Sequence, residues 1–309
     1  MNKFILAVLL CLFSASFCFG AEQPIDDGIY KELYDTGEVR MRVNVKNGIL
    51  NGPFNAYYRD GKLMGEGLYT NGKLENKAQA YYPDGKLKYE VYYRKGLLQG
   101  IAKSYREDGS LFRESYYDKG LLNGVTREFS PDGRLEFERE YKEGIANGIA
   151  KTYAKEGYLL RSATFKGGMQ EGLIREFDMG GNLVRTFEAY DGTPQGTLKE
   201  YYPTGELKLE SFLVDGAAKE TTITEFYKAG QVLKKVRVKG GQMDGVYEEF
   251  FETGHLKETG EYKQGKREGT FKEFYSDGKV RKVKNYEGGK LIFSKSYDEA
   301  GNLDLNPKE

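Results

Sequence analysis

The sequence predicts an all-β protein: an elongated single-layer twisted antiparallel meander of about twelve 24-residue β-hairpin repeats. Three observations predict it. Glycines recur in phased series, the apolar residues keep the same phase, and the stretches between turn signals alternate at period two. The leading series is Gly37, Gly61, Gly85, Gly109, Gly133, Gly157, Gly181, Gly205, Gly230, Gly254, Gly278 and Gly301, and nine of its eleven intervals are 24 residues. A second series runs eleven residues behind, from Gly48 and Gly72 to Gly289. A third, less faithful, follows four residues later at Gly52, Gly100, Gly124, Gly148, Gly172, Gly196, Gly245 and Gly269.

The apolar positions can be read against these glycines. Four residues before the leading Gly stands an aromatic, as at Tyr81, Phe129 and Phe274; two residues after it stands an aliphatic, as at Leu63 and Val280. In one unit, Asp84-Gly85 is a hairpin turn signal, and Leu87, Tyr89, Val91 and Tyr93 share one face of the strand that follows. Lys95 to Gly100 forms a second, longer turn, and Ile101 to Tyr105 returns. No apolar stripe persists at helical spacing. Strands stacked at about 4.8 Å advance about 9.6 Å per repeat, so twelve units extend on the order of 110 Å. Equivalent aromatics then stack into ladders that stand in for a globular core. After Gly216 the third glycine is missing and one residue is extra, which predicts a bulge or loop distortion near Ala217–Thr222.

The N-terminus differs in kind. Lys3, an apolar run from Phe4 to Phe13, and small residues at Cys18 and Gly20 read as a secretory signal peptide over 1–20, cleaved between Gly20 and Ala21. Retention as an anchor is the rival reading. A linker over 21–29, the repeat domain over 30–303 and a tail over 304–309 complete the organisation. The expected location is outside the cell or in the periplasm or cell envelope. Cys11 and Cys18, the only cysteines, both fall within the signal, so the mature chain has no disulfide and no thiolate ligand. Lys+Arg and Asp+Glu both number 47, which leaves no net field to draw a nucleic acid.

The unit Tyr92-Tyr93-Arg94-Lys95-Gly96-Leu97-Leu98-Gln99-Gly100, with its Tyr-x-x-Gly-x-x-x-Gly core, resembles the MORN repeat in its bacterial variant form. The Trp of the typical MORN unit is absent, because the chain has no Trp. The resemblance covers about residues 30–303. It implies a hairpin-repeat scaffold or interaction module, and some family members have been proposed to bind lipid. Many bacterial relatives carry an antitoxin label; a signal peptide sits poorly with that label, since an antitoxin acts in the cytoplasm.

No residue set for catalysis is evident, and the expectation is a binding scaffold, not an enzyme, with no cofactor. His255 is the only histidine and sits in a turn, which excludes a triad or a multi-histidine metal site. The acidic column Glu128, Glu176, Glu200, Glu225, Glu249 and Glu273 reads as a mixed-charge ladder neutralised from adjacent strands, in preference to a row of cation sites or a glycosidase pair. Arg127, Arg175, Lys199 and Lys272 belong to the opposite face. In tyrosine pairs one ring should face the ladder and the other outward. This makes Tyr58, Tyr82, Tyr92, Tyr116 and Tyr202 the candidate binding surface. The partner expected is a protein or cell-envelope polymer, with a lipid surface or antitoxin-like inhibition as alternatives. Edge strands at 30–45 and 291–303 offer a route to self-association.

Overall fold

The computed structural model describes residues 26–304; the expected signal peptide, the Gly20–Ala21 cleavage site and both cysteines lie outside the described residues. Within them every element is a β-strand, from Gly28–Leu33 to Leu303–Asp304, and no helix occurs. The chain divides into two compact units at Ile145/Ala146. In each unit the strands pair antiparallel with their neighbours in the chain.

The two turns of each hairpin differ from the sequence expectation in a way that backbone sterics explain. The tight turn is the second one. Arg94 pairs directly with Leu97, and both central residues are left-handed, Lys95 at φ 53° and Gly96 at φ 83°. That is a two-residue type I′ turn, whose twist matches that of the flanking strands. The Asp-Gly turn is the longer one: Gly85 N–H donates to Tyr82 O, and Tyr82 N–H donates to Lys86 O. Gly85 closes a type I turn at φ 87°, and Asp84 Oδ1 accepts from Lys86 N–H at 3.0 Å. In the second repeat unit Asn76 stands where the third glycine is expected, and it takes φ 63° itself, a conformation Asn tolerates.

A second departure decides which side chains meet. Tyr81 pairs with Leu87, but Ala80 pairs with Tyr89, so Lys88 is an extra, bulged residue. The expected run Leu87-Tyr89-Val91-Tyr93 is therefore split. Tyr89, Val91 and Tyr93 share the inward face with Ala78 and Ala80, whereas Leu87 joins Tyr81 on the outward face. The same register shift recurs in other hairpins, between Ser104 and Tyr105, Glu176 and Phe177, and Glu273 and Phe274.

The inward face carries the core of each unit. In the first, Val43, Phe54, Tyr69 and Leu74 pack together with Tyr93, and Ala78, Val91 and Leu98 continue the column with Tyr93 and Tyr117. In the second, Val236, Val238, Tyr247 and Phe271 form the cluster, and Tyr247, Tyr262, Phe271 and Tyr286 meet edge-on at centroid distances of 5.3–5.5 Å. Two strand glycines make room for the largest rings: a Cβ on Gly67 would lie 2.6 Å from Phe54 Cε1, and one on Gly260 2.5 Å from Phe271 Cδ1. Near Gly216 the type I′ turn survives, and the irregularity is confined to Ala217–Lys219, where a lone bridge joins Val214 to Ala217.

Neighbouring repeats are tied by a recurrent hydrogen bond. The residue three places before the leading glycine donates its hydroxyl to a backbone carbonyl in the next repeat: Tyr34 to Tyr57 O, Tyr58 to Tyr81 O, Tyr82 to Tyr105 O, Tyr202 to Phe226 O, Tyr227 to Phe250 O and Tyr275 to Tyr297 O, all at 2.7–2.8 Å. Arg106 supplies the same bond to Phe129 O through its guanidinium.

Replacing Gly67 or Gly260 by Ala overpacks the core beneath Phe54 or Phe271, and chemical denaturation should show a loss of about 1–3 kcal/mol. Tyr82→Phe removes only the inter-repeat bond and should cost about 1 kcal/mol in the same assay.

Candidate functional site

Once the faces are assigned, three surfaces stand out. The first is outward, in the first unit. Tyr92 and Tyr116 are 41% and 43% exposed, and Leu97, Ile101 and Leu121 are 45–50% exposed. The register places Ile101 directly opposite Tyr116. Leu97 follows one type I′ turn and Leu121 the next, and a Cβ on Gly120 would lie 3.6 Å from Leu97 Cδ2. Tyr93 and Tyr117, next in sequence to the exposed tyrosines, are turned inward into the core.

The structure thus separates the five tyrosines expected to form a binding surface. Tyr92 and Tyr116 present their rings outward. Tyr58, Tyr82 and Tyr202 are partly buried and engaged in the bonds between repeats. Their partners in the Tyr-Tyr pairs do not enter the ladder either: Tyr81 is outward, and its hydroxyl donates to Glu66 Oε1 at 2.6 Å. Simple alternation fails for these pairs because the bulge and the long turn intervene. Leu97, Ile101 and Leu121 were missed. Their signal was present in the period, as the residues just after the second and third glycines.

The second surface is the charged inward row of the second unit. The register runs Arg161, Glu176, Arg185, Glu200 across successive strands, each directly opposite the next. Arg185 binds Glu176 at 2.7 Å and Lys234 binds Glu225 at 2.7 Å, so the bases do come from adjacent strands. Arg127 and Lys199 meet Glu138 and Glu210 on the opposite face. Leu209 interrupts the row between Glu200 and Glu225, and alternation breaks again further on. Glu249, Glu258 and Glu273 stand opposite one another in a row. Glu258 is only 9% exposed, and Arg267 binds it at 3.1 Å. Lys257 binds Glu249 at 2.7 Å and Lys284 binds Glu273 at 2.5 Å. Burial holds the Glu258 carboxyl above its ordinary range; Arg267 pulls it back, while Glu273 and Glu249 push it up.

The third surface is a groove that recurs between repeats beneath the long turn. In the first unit a cleft of about 260 Å³ is lined by Tyr82, Tyr89, Ser104, Tyr105, Arg106 and Phe112. In the second unit, equivalent positions line a cleft of about 320 Å³ with Phe251, Glu258, Glu273, Phe274 and Arg281. One groove therefore carries aromatic chemistry in one place and charged chemistry in the other. His255 is exposed, and its Nδ1 lies 2.5 Å from Ser276 O. Among the described residues, no group of three or more His, Cys, Asp or Glu is arranged to hold a metal ion.

Comparison with known proteins bears on the repeat itself. The family model described as the MORN repeat variant matches residues 50–71, 74–95, 98–119, 122–143, 194–215, 243–264 and 267–287. The chain belongs to the MORN repeat variant family. Each MORN match begins on a return strand and ends at or just before the type I′ turn, so that turn marks the junction between MORN units. The stretches 144–193 and 216–242 lie outside the matches; they contain Ala154 and Asp178 at the bridging-tyrosine position and the irregular Ala217–Lys219.

No curated protein matches the chain. Among solved structures, the chain is similar to a crystal structure of TcdB2-TccC3-Cdc42 at 13% identity and TM-score 0.19, covering 88% of this chain and 18% of that one. A TcdB2-TccC3 crystal structure gives 13% identity, TM-score 0.20 and coverage of 88% and 16%. The Photorhabdus luminescens Tc holotoxin pore gives 14%, 0.18, 89% and 18%. The chain thus spans under a fifth of the length of those chains, and likeness at these TM-scores carries no weight for its function.

Because the folded-state pKa of Glu258 is raised, the folded chain holds that proton more tightly than the unfolded chain does. Its contribution to stability is complete below the unfolded value and is lost as pH rises through the folded one. Glu258→Gln cannot ionise, so its melting temperature relative to the parent should rise between pH 4 and pH 7, as followed by thermal denaturation monitored by circular dichroism.

Proposed function

We propose that this MORN-variant chain is a binding scaffold without catalytic activity, which holds a protein partner against the outward patch of its first unit. The observation that carries this reading is the pairing of exposure with lack of engagement. Tyr92, Leu97, Ile101, Tyr116 and Leu121 leave apolar surface in contact with water, while Tyr58, Tyr82 and Tyr202 spend their hydroxyls on the fold. Aromatic and aliphatic side chains held on rigid strands supply contact area at small entropic cost. A tandem array suits this task, because each repeat is positioned by its neighbours and its outward residues are free to vary.

The same proposal places the mature protein outside the cytoplasm. Lys3, the apolar run Phe4–Phe13 and the small residues Cys18 and Gly20 support export and cleavage.

A photo-crosslinking residue at position 116 in the native cells should yield a discrete protein adduct, whereas the same residue at position 58 should not. Tyr92→Ser with Leu121→Ser should abolish that adduct without lowering the melting temperature. Sequencing the N-terminus of the mature protein should return Ala21.

A further inference from the structure

The aromatic groove of the first unit lies apart from the outward patch, and its chemistry is specific. Lys88, the bulged residue, holds its ammonium 5.0 Å from the Tyr82 ring centre and 5.7 Å from that of Tyr89. Arg106 stands 4.7 Å from the Phe112 ring and is fastened to backbone oxygens at Leu111 and Phe129. Neither Lys88 nor Arg106 forms an ion pair among the described residues, although the chain carries as many acids as bases. Contact with π faces holds these cations in place, and Asp108 is near enough to Arg106 to feel its field without bonding to it. The Ser104 hydroxyl lines the same cleft, is shielded from solvent and has no hydrogen-bond partner. Tyr89 stands directly opposite Ser104 in the register. Burial raises the Tyr89 hydroxyl above its ordinary value, so it remains a protonated donor at neutral pH.

A cleft of about 260 Å³ lined by the Arg106 guanidinium, the Ser104 hydroxyl and the rings of Tyr82, Tyr89 and Phe112, with the Lys88 ammonium against the Tyr82 ring, has a definite complement. The ligand must be negatively charged, must accept and donate several hydrogen bonds, and must offer C–H faces to the rings. A neutral sugar leaves the cations unmatched, and a bare anion leaves the aromatic walls unused. We propose that this groove binds a carboxylated sugar residue, as found in an acidic polysaccharide, with the carboxylate drawn by Arg106 and Lys88 and the ring against Tyr82 and Phe112. The inference does not depend on the outward patch, which lies on the other face of the sheet. The equivalent groove of the second unit presents Glu258 and Glu273 where the first presents Tyr89 and Ser104, so it does not share this specificity.

The test is isothermal titration of the full-length mature protein with a uronic acid tetrasaccharide, its neutral hexose counterpart and inorganic phosphate. The acidic sugar should bind, and the neutral sugar and phosphate should bind at least tenfold more weakly. Lys88→Met should weaken the acidic sugar about tenfold and flatten its salt dependence, the loss expected of one charge-assisted hydrogen bond. Ser104→Ala, which leaves every cation in place, should weaken it severalfold. Tyr92→Ser, which disables the outward patch, should leave sugar binding intact. Equal binding of acidic and neutral sugars, equal binding of phosphate, no binding at all, or an unchanged affinity in a Lys88→Met protein of parental melting temperature would each overturn the proposal.

Discussion

One extra residue in each hairpin governs much of what this structure does. A strand alternates its side chains between two faces, and a single unpaired residue resets that alternation. Lys88 and its equivalents therefore divide each outgoing strand into two registers. Before the bulge, the aliphatic residue joins the outward aromatic; after it, the side chains turn inward and build the column of Tyr69, Tyr93 and Tyr117. The bulge also brings the charged row onto the inward face and opens the groove in which the bulged residue itself stands.

Repetition converts that local choice into long-range order. A position that is inward in one unit is inward in the next, so Arg161, Glu176, Arg185 and Glu200 fall opposite one another with no further instruction. Individually such pairs contribute little. Collectively they let a row of charges occupy a half-buried face. A carboxylate out of turn, as at Glu258, is tolerated because Arg267, Lys257 and Lys284 reach it and its neighbours from adjacent positions. The chemistry of a groove is thus set by the few positions that vary, while the period preserves its shape.

Much of the fold was legible in the sequence because glycine spacing reports turns directly. The all-β class, the hairpin unit, the family and the disturbance near Gly216 all follow from it. The turn types were not legible: Asp84-Gly85 resembles a two-residue turn locally, and only the pairing of Tyr82 with Lys86 shows it to be longer. The bulge left no compositional mark, since Lys88, Phe112 and Val184 share nothing but their place. This is why Leu87 was assigned to the wrong face and why Tyr58, Tyr82 and Tyr202 looked free. Of the candidate surface, Tyr92 and Tyr116 could be read, because they lie where alternation is undisturbed. Leu97, Ile101 and Leu121 needed the register.

The tyrosine hydroxyl that links one repeat to the next has a mechanical meaning. It bridges adjoining hairpins at the long-turn end, where a pulled chain would first part them. In the second unit Ala154, Asp178 and Phe251 occupy that position and can supply no such bridge, whereas Tyr202, Tyr227 and Tyr275 do. Under tension this unit would yield first where the bridge is missing. The hairpins that carry Ala154, Asp178 and Phe251 would extend at lower force, and those bridged by Tyr202, Tyr227 and Tyr275 would hold longer. A load on the chain would thus be released in graded steps, in an order written by which residue follows each aromatic.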